Sequence, residues 1–244
     1  MSGIFSATAW LKVWTYRATF LHGLATTVRT AVLAILLAMV IGIVLGLFAT
    51  GHNRILKVIS RVYVEFVQNT PVMLQLCFLY YALAFLGHSI GIIRTGIVSL
   101  GIYHGAYMAE VIRAGIESIP KGQFEAAQSQ GFNYFGEMYY IILPQSIKII
   151  LPPMVNQVVN LIKNTSCLYI IGGTDLISLT YSFVTGATTG GAYGPAYLVS
   201  GVLFFIICFP LSKLASTWEA RLKQRDQRVV VAGRGSTEKG VENA

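Results

Sequence analysis

Between Arg29 and His52 lie 22 consecutive residues, Thr30 to Gly51, without a single charge. A helix needs about 20 predominantly apolar residues to cross the hydrocarbon core of a bilayer. The pattern recurs. From Val62 to Ile93 the only charged side chain is Glu65, and from Leu176 to Ser212 there is none. One such run could be a buried helix of a soluble domain, but several in one chain could not. With 55% hydrophobic and 11% charged residues and a mean hydropathy of +0.63, a soluble fold of this length would be left with an apolar surface. The chain therefore reads as an all-α membrane protein.

Five spans are expected: Leu24 to Ala49, Val58 to Leu86, Thr95 to Ile116, Ile149 to Thr165 and Pro195 to Trp218. A polar stretch, Glu117 to Lys148, separates the third from the fourth. Gly172 to Gly194, rich in Gly, Ser, Thr and Tyr, reads as an external loop, partly re-entrant. Lys12 and Arg17 precede an apolar stretch too long for a signal-peptide core and lacking a small-residue cleavage site, so a retained first span is expected. The domain plan is an external or interfacial segment over 1–23, a transmembrane domain over 24–221 and a cytoplasmic tail over 222–244. The tail, polar and charged after Gln224, is expected to be disordered.

Charge placement sets the expected orientation. With the N-terminus outside, thirteen Lys and Arg fall inside, from Arg54, Lys57 and Arg61 to the tail, and five fall outside. The net charge of +8 is thus explained by a basic cytoplasmic tail (Arg221 to Lys239), and no nucleic-acid partner is implied. Cys77, Cys167 and Cys208 offer neither a disulfide framework nor metal-ligand spacing, and the four histidines are scattered. No metal site is expected. No catalytic constellation stands out, and the phosphate-binding pattern Gly-x4-Gly-Lys-Ser/Thr does not occur, so no cofactor is expected in this chain.

The most informative segment lies in the polar stretch: Glu125-Ala126-Ala127, three residues, Gly131, nine residues, then Ile141-Ile142-Leu143-Pro144. Pro120-Lys121-Gly122 is expected to end one helix and Gln123 to begin a short one, with Glu125 in its first turn at the positive end of the dipole. Ala126 and Ala127 would present a smooth surface that fits another protein's groove. Gly131 would end the helix in the left-handed conformation, Asn133 would cap the next one, and Pro144 would kink it near its far end.

That spacing resembles the EAA motif, EAA-x3-G-x9-I-x-L-P, of the permease subunits of bacterial ABC importers, and every fixed position is met. The flanks resemble the polar amino acid type of that family: Ala106 to Ile116, Ile119 to Gln123, Leu143 to Ser146, Leu151 to Pro153, and Asn160 to Ser166. Tyr63 to Pro71 resembles its second-span signature, although position 68, usually arginine, is Gln68 here. The resemblance covers roughly Leu24 to Arg221. It implies the type I importer permease fold, with a cytoplasmic coupling helix (Glu125, Ala126, Ala127, Gly131) that docks on an ATPase. It further implies two permease subunits (self or paralogue), two ATPase subunits carrying ATP and magnesium, an extracytoplasmic binding protein, and the bacterial inner membrane. The solute would be a polar L-amino acid.

Polar residues inside a span are costly and face protein or water. Asn156, Gln157, Asn160, Lys163 and Asn164 recur at helical spacing in span four, and they are the candidate substrate pathway, with polar packing between helices as the competing role. Gln68-Asn69-Thr70-Pro71 breaks span two and is the candidate gate or hinge. Glu65 can pair with Arg61, and Glu110 with Arg113, as internal ion pairs. Gly42-x3-Gly46 is expected to allow close helix packing. The alternative function is an ion-coupled carrier or channel working without an ATPase, which an internal repeat or a mid-membrane acid would favour.

Overall fold

A computed structural model of the chain describes residues 6–242, with side chains through Leu222. Every regular element among them is helical: α1 (Ala7–Thr15), α2 (Arg17–Thr50), α3 (Arg54–Gln68), α4 (Val72–Phe85), α5 (Ile92–Glu117), α6 (Lys121–Ser129), α7 (Tyr134–Gly136), α8 (Leu143–Asn164), α9 (Leu176–Thr185) and α10 (Tyr193–Glu242). A π-helical segment, Glu137–Ile142, joins α7 to α8, and a 3-10 segment, Thr165–Ile171, follows α8. The expectation of a disordered tail falls on residues whose side chains lie outside the described set.

Among the described residues three helices are long and apolar enough to cross a membrane on length and composition alone: Arg17–Thr50, Tyr134–Ile171 and Tyr193–Leu222. The expected third span, α5, is long enough at 26 residues, or about 39 Å. It is less apolar because it stands at the centre of the bundle, packed against α2, α3, α4 and α8. Thr95, Ser99 and His104 are buried along it, so protein and not lipid surrounds its polar side chains. The outward positions show the converse. Phe66, Phe78 and Phe85 are exposed, Phe85 at 92%, as suits a lipid-facing surface.

The α2–α5 seam is built from interlocking glycines. A Cβ on Gly42 would lie 2.6 Å from the Cβ of Met108, and one on Gly46 2.7 Å from Ile112. Reciprocally, Leu37 fills the space over Gly101 and Ile41 that over Gly105. The close approach expected of Gly42 and Gly46 is therefore met, and α5 answers with a small-residue pair of its own. Such contacts replace the hydrophobic drive that lipid does not supply.

Four expectations need correction. The first span begins at Arg17, so Leu24 lies inside α2; at 34 residues, about 51 Å, this helix outruns the hydrocarbon core and its first turns reach the interface. Gly172 to Gly194 is not simply a loop, because Asp175 caps α9 through Ile177 and Ser178, and α9 packs on α2 and α10. Frequent Ser and Thr hide its apolar face from a composition count. Pro144 does not break a helix; it occupies the first turn of α8 directly after the π-helical segment, whose wider turn absorbs its missing donor. The helix leading into span four accordingly starts well before Ile149.

Candidate functional site: a coupling loop, a broken helix and a polar seam

The loop after α5 is an autonomous small motif. Pro120 stands at the N-cap of α6, so Lys121 opens the helix and Glu125 sits in its second turn; the dipole argument for Glu125 does not hold. Glu125 and Ala126 are exposed, whereas Ala127 is 1% exposed and packs inward. The two alanines thus face opposite ways, and only Ala126 is free to meet a partner. Gly131 has φ +82°, with its N–H donating to the Gln128 carbonyl (2.9 Å) and that of Phe132 to Ala127 (3.2 Å). These are the two bonds of a Schellman ending. Asn133 Oδ1 then accepts from the Gly136 amide at 2.9 Å, capping the next helix as expected.

Two side-chain ties fasten α6 to the helix that follows. Gln145 of α8 donates from Nε2 to Gln123 Oε1 at 3.2 Å, and Gln128 donates to Glu137 Oε2 at 3.3 Å. Glu137 is only 4% exposed. Phe124 and Tyr134 anchor the loop in the main core, and the Tyr134 ring meets His52 edge-on at 4.9 Å. Displacement of α6 must therefore be felt at the start of α8.

Span two is broken where expected. Asn69 ends α3, and Pro71 stands at the N-cap of α4. The groups freed by the break are taken up by a residue that sequence reasoning passed over. Gln75 donates from Nε2 to the Val67 carbonyl (3.0 Å), the Thr70 carbonyl (3.3 Å) and Thr70 Oγ1 (2.6 Å). Asn69 Nδ2 donates to the Glu65 carbonyl at 2.7 Å, and Thr70 Oγ1 to that of Phe66 at 3.1 Å. Gln68 reaches across to the Ala106 carbonyl of α5 at 3.5 Å. The break is satisfied within the protein, as one at membrane depth must be.

Below it, α3 and α5 enclose an open cleft of about 540 Å³ with charged walls. Both expected ion pairs line it: Arg61–Glu65 at 2.7 Å, and Glu110–Arg113, which Glu117 extends into a triad. Each is made within one helix, and Arg61 is well exposed, so these pairs contribute little to stability.

The candidate pathway residues divide into two sets. Asn156, Asn160 and Lys163 lie on the exposed face of α8, and Lys163 lines two adjoining hollows of about 350 and 360 Å³ against α9 and α10. Gln157 and Asn164 are half-buried and turn toward α5. Asn164 Nδ2 stands 3.1 Å from His104 Nε2, and Gln157 approaches the same ring. His104 had no assigned role in the sequence; its register opposite Asn164, 60 positions away, is invisible without the fold. Among the described residues no cluster of His, Cys, Asp or Glu could hold a metal.

The fold has known counterparts. Residues 38–224 match the family described as binding-protein-dependent transport system inner membrane component. The chain is 39% identical over 169 residues to the probable glutamine ABC transporter permease protein GlnM of Bacillus subtilis, covering 69% of this chain and 77% of that one. It is 32% identical over 200 residues to the probable glutamine permease GlnP of the same organism, covering 82% and 91%. Among solved structures, an amino acid ABC transporter superposes with a TM-score of 0.79 at 31% identity, over 87% of this chain and 98% of that one. A methionine ABC transporter gives 0.62 at 16% identity over 84% and 97%, a likeness of fold alone. The chain belongs to the family of binding-protein-dependent inner-membrane transport components, the permease subunits of ABC importers.

Proposed function

We propose that this permease carries a polar L-amino acid with an uncharged side chain inward, as half of an ATP-driven pathway. The observation that carries the reading is α6: a short helix ended by a Schellman motif, with Glu125 and Ala126 exposed and two ties to α8. Such a surface suits docking in a cleft of an ATPase. Two ATPase subunits, holding ATP and magnesium, would close on nucleotide and pull both coupling helices, favouring an outward-open arrangement by population shift. A second permease subunit, a copy or a paralogue, completes the pathway, and an extracytoplasmic binding protein delivers the solute. The N-terminus lies outside and the C-terminus inside, which puts α6 on the ATPase side.

Asn156, Asn160 and Lys163 face the passage. They are polar groups on an exposed face of a membrane helix, where only protein or water can accommodate them. The ammonium of Lys163 suits the carboxylate of an amino acid. As α8 contains no Asp or Glu, it offers no partner to a cationic side chain. The similarity to permeases named for glutamine supports the same class. Gln68 to Pro71, held by Gln75, is the hinge.

The test is purification of the tagged chain from its native membrane with whatever ATPase accompanies it, followed by uptake in proteoliposomes with the binding protein. Co-purification and ATP-dependent glutamine uptake, lost in Glu125→Ala and Gly131→Val while the protein stays in the membrane, are expected. A chain that purifies alone and transports without nucleotide would overturn the reading in favour of an ion-coupled carrier.

A further inference from the structure

His104 sits at the middle of α5 and is 1% exposed. An imidazole enclosed by a membrane bundle must find partners for its nitrogens or carry the cost of burying them. One partner is Asn164, 3.1 Å from Nε2, while Nδ1 makes no hydrogen bond of ordinary geometry and Gln157 approaches the ring. The ring is fixed in place by its neighbours. Tyr103 and Tyr107 stand at centroid distances of 5.2 and 6.3 Å, and their hydroxyls bond to each other at 3.1 Å. His104 is thus a rigid post on α5 against which Asn164 of α8 is held.

The consequence concerns what α8 shows to a passing solute. Five polar side chains lie at helical spacing, yet only Asn156, Asn160 and Lys163 are exposed. Asn164 is held inward by its bond to the imidazole, and Gln157, half-buried, approaches the same ring. Released from it, Asn164 could rotate about its side-chain torsions and add a donor and an acceptor to the same face. We propose that His104 is a specificity-determining positioning residue: by holding Asn164 away from the exposed face of α8, it limits that face to two amides and one ammonium and so selects an amino acid with a neutral polar side chain over an acidic or basic one. This rests on the proposed passage along α8.

The test uses the assembled permease–ATPase complex with its binding protein in proteoliposomes, and compares uptake of labelled glutamine, glutamate and arginine. Because the same binding protein serves every variant, its own preference cancels when wild type and variant are compared. His104→Leu is expected to lower the ratio of glutamine to glutamate or arginine uptake by about three- to tenfold, the net worth of one hydrogen bond. His104→Gln, which keeps a hydrogen-bonding group facing Asn164, is expected to restore most of the ratio. Asn164→Ala, which deletes the amide that would be released, is expected to leave the ratio near wild type and to shrink the His104→Leu shift in the double variant, since the shift acts through Asn164. A purely structural role would lower all rates together with the ratios unchanged, and that result overturns the proposal. If His104→Leu fails to assemble, His104→Phe, which keeps a ring but no nitrogen to bond Asn164, decides the matter by the same ratio. The two failures are distinct: a wild-type complex that takes up no amino acid overturns the proposed function, whereas one that transports with unaltered ratios in every variant overturns the role of His104 alone.

Discussion

Gly42 of α2 and Met108 of α5 approach so closely that a Cβ on the glycine would lie 2.6 Å from the Cβ of the methionine. The clash is between atoms fixed to two helix backbones, so no rotamer change relieves it. Gly42→Ala is expected to destabilise the permease by about 1–3 kcal/mol, the usual cost of overpacking. Met108→Ala should not rescue it, because alanine keeps the offending Cβ. Gly115 offers the contrast: there the obstruction is Ile150 Cγ1 at 2.2 Å. Ile150→Ala should rescue Gly115→Ala. Thermal unfolding of the four variants in detergent distinguishes the two cases, and rescue at both sites would disprove the account of the α2–α5 seam.

Gly122 and Gly131 both have nothing within 4 Å of an added Cβ, yet they differ in backbone. Gly131 has φ +82°, where an L side chain costs about 1–2 kcal/mol. Gly131→Ala should loosen the Schellman ending of α6, raise ATP hydrolysed per solute moved and leave membrane insertion unchanged. Gly122→Ala should match the wild type in both. The ratio of hydrolysis to uptake in proteoliposomes reads the difference.

Gln75 reaches back across the span-two break to Val67 and Thr70. Replacing it with leucine leaves the Thr70 carbonyl without its side-chain donor, while the Val67 carbonyl keeps Thr70 Oγ1 at 3.3 Å. A loss of about 1–3 kcal/mol is expected from the unsatisfied group. The variant should melt earlier in detergent and show faster amide exchange around Thr70. Gln75→Glu, which keeps acceptors but loses the donors when ionised, should behave like leucine and not like glutamine. Wild-type exchange in both variants would remove Gln75 from the hinge.

What could be read without the fold follows from the range of each signal. The apolar runs, the motif from Glu125 to Pro144, the left-handed Gly131 and the Asn133 cap are local, and local chemistry specifies them. The break at Pro71 is equally local, but its remedy lies one turn downstream in Gln75, an amide that looks like any polar residue in a span. Gly42 and Gly46 announce a close contact without naming α5 as the partner. The polar stripe of α8 marks the right helix, yet its division into exposed and inward sets depends on where α5 places His104. α9 is hidden in the sequence because its buried side mixes Ser178 and Thr180 with Leu176, Phe183 and Val184, although Asp175 two residues before Ile177 is a usable cap signal.

The last prediction concerns how movement of α6 reaches the passage. Glu137, 4% exposed in the π-helical segment, is bonded through its side chain to Gln128 at 3.3 Å, and Gln123 is bonded to Gln145 at 3.2 Å. Both ties connect α6 to the base of the helix that carries Asn156, Asn160 and Lys163. Gln128→Ala leaves a buried carboxyl without its side-chain partner and should destabilise by about 1–3 kcal/mol. Glu137→Gln keeps an acceptor for Gln128 and should be close to neutral in stability. If the ties transmit force, Gln123→Ala combined with Gln128→Ala should leave ATPase binding intact while raising ATP hydrolysed per solute moved, and each single variant should show a smaller rise. If they only stabilise the loop, melting temperature should fall while the ratio of hydrolysis to uptake stays at the wild-type value. Measuring both quantities on the same preparations separates a transmitting contact from a packing one.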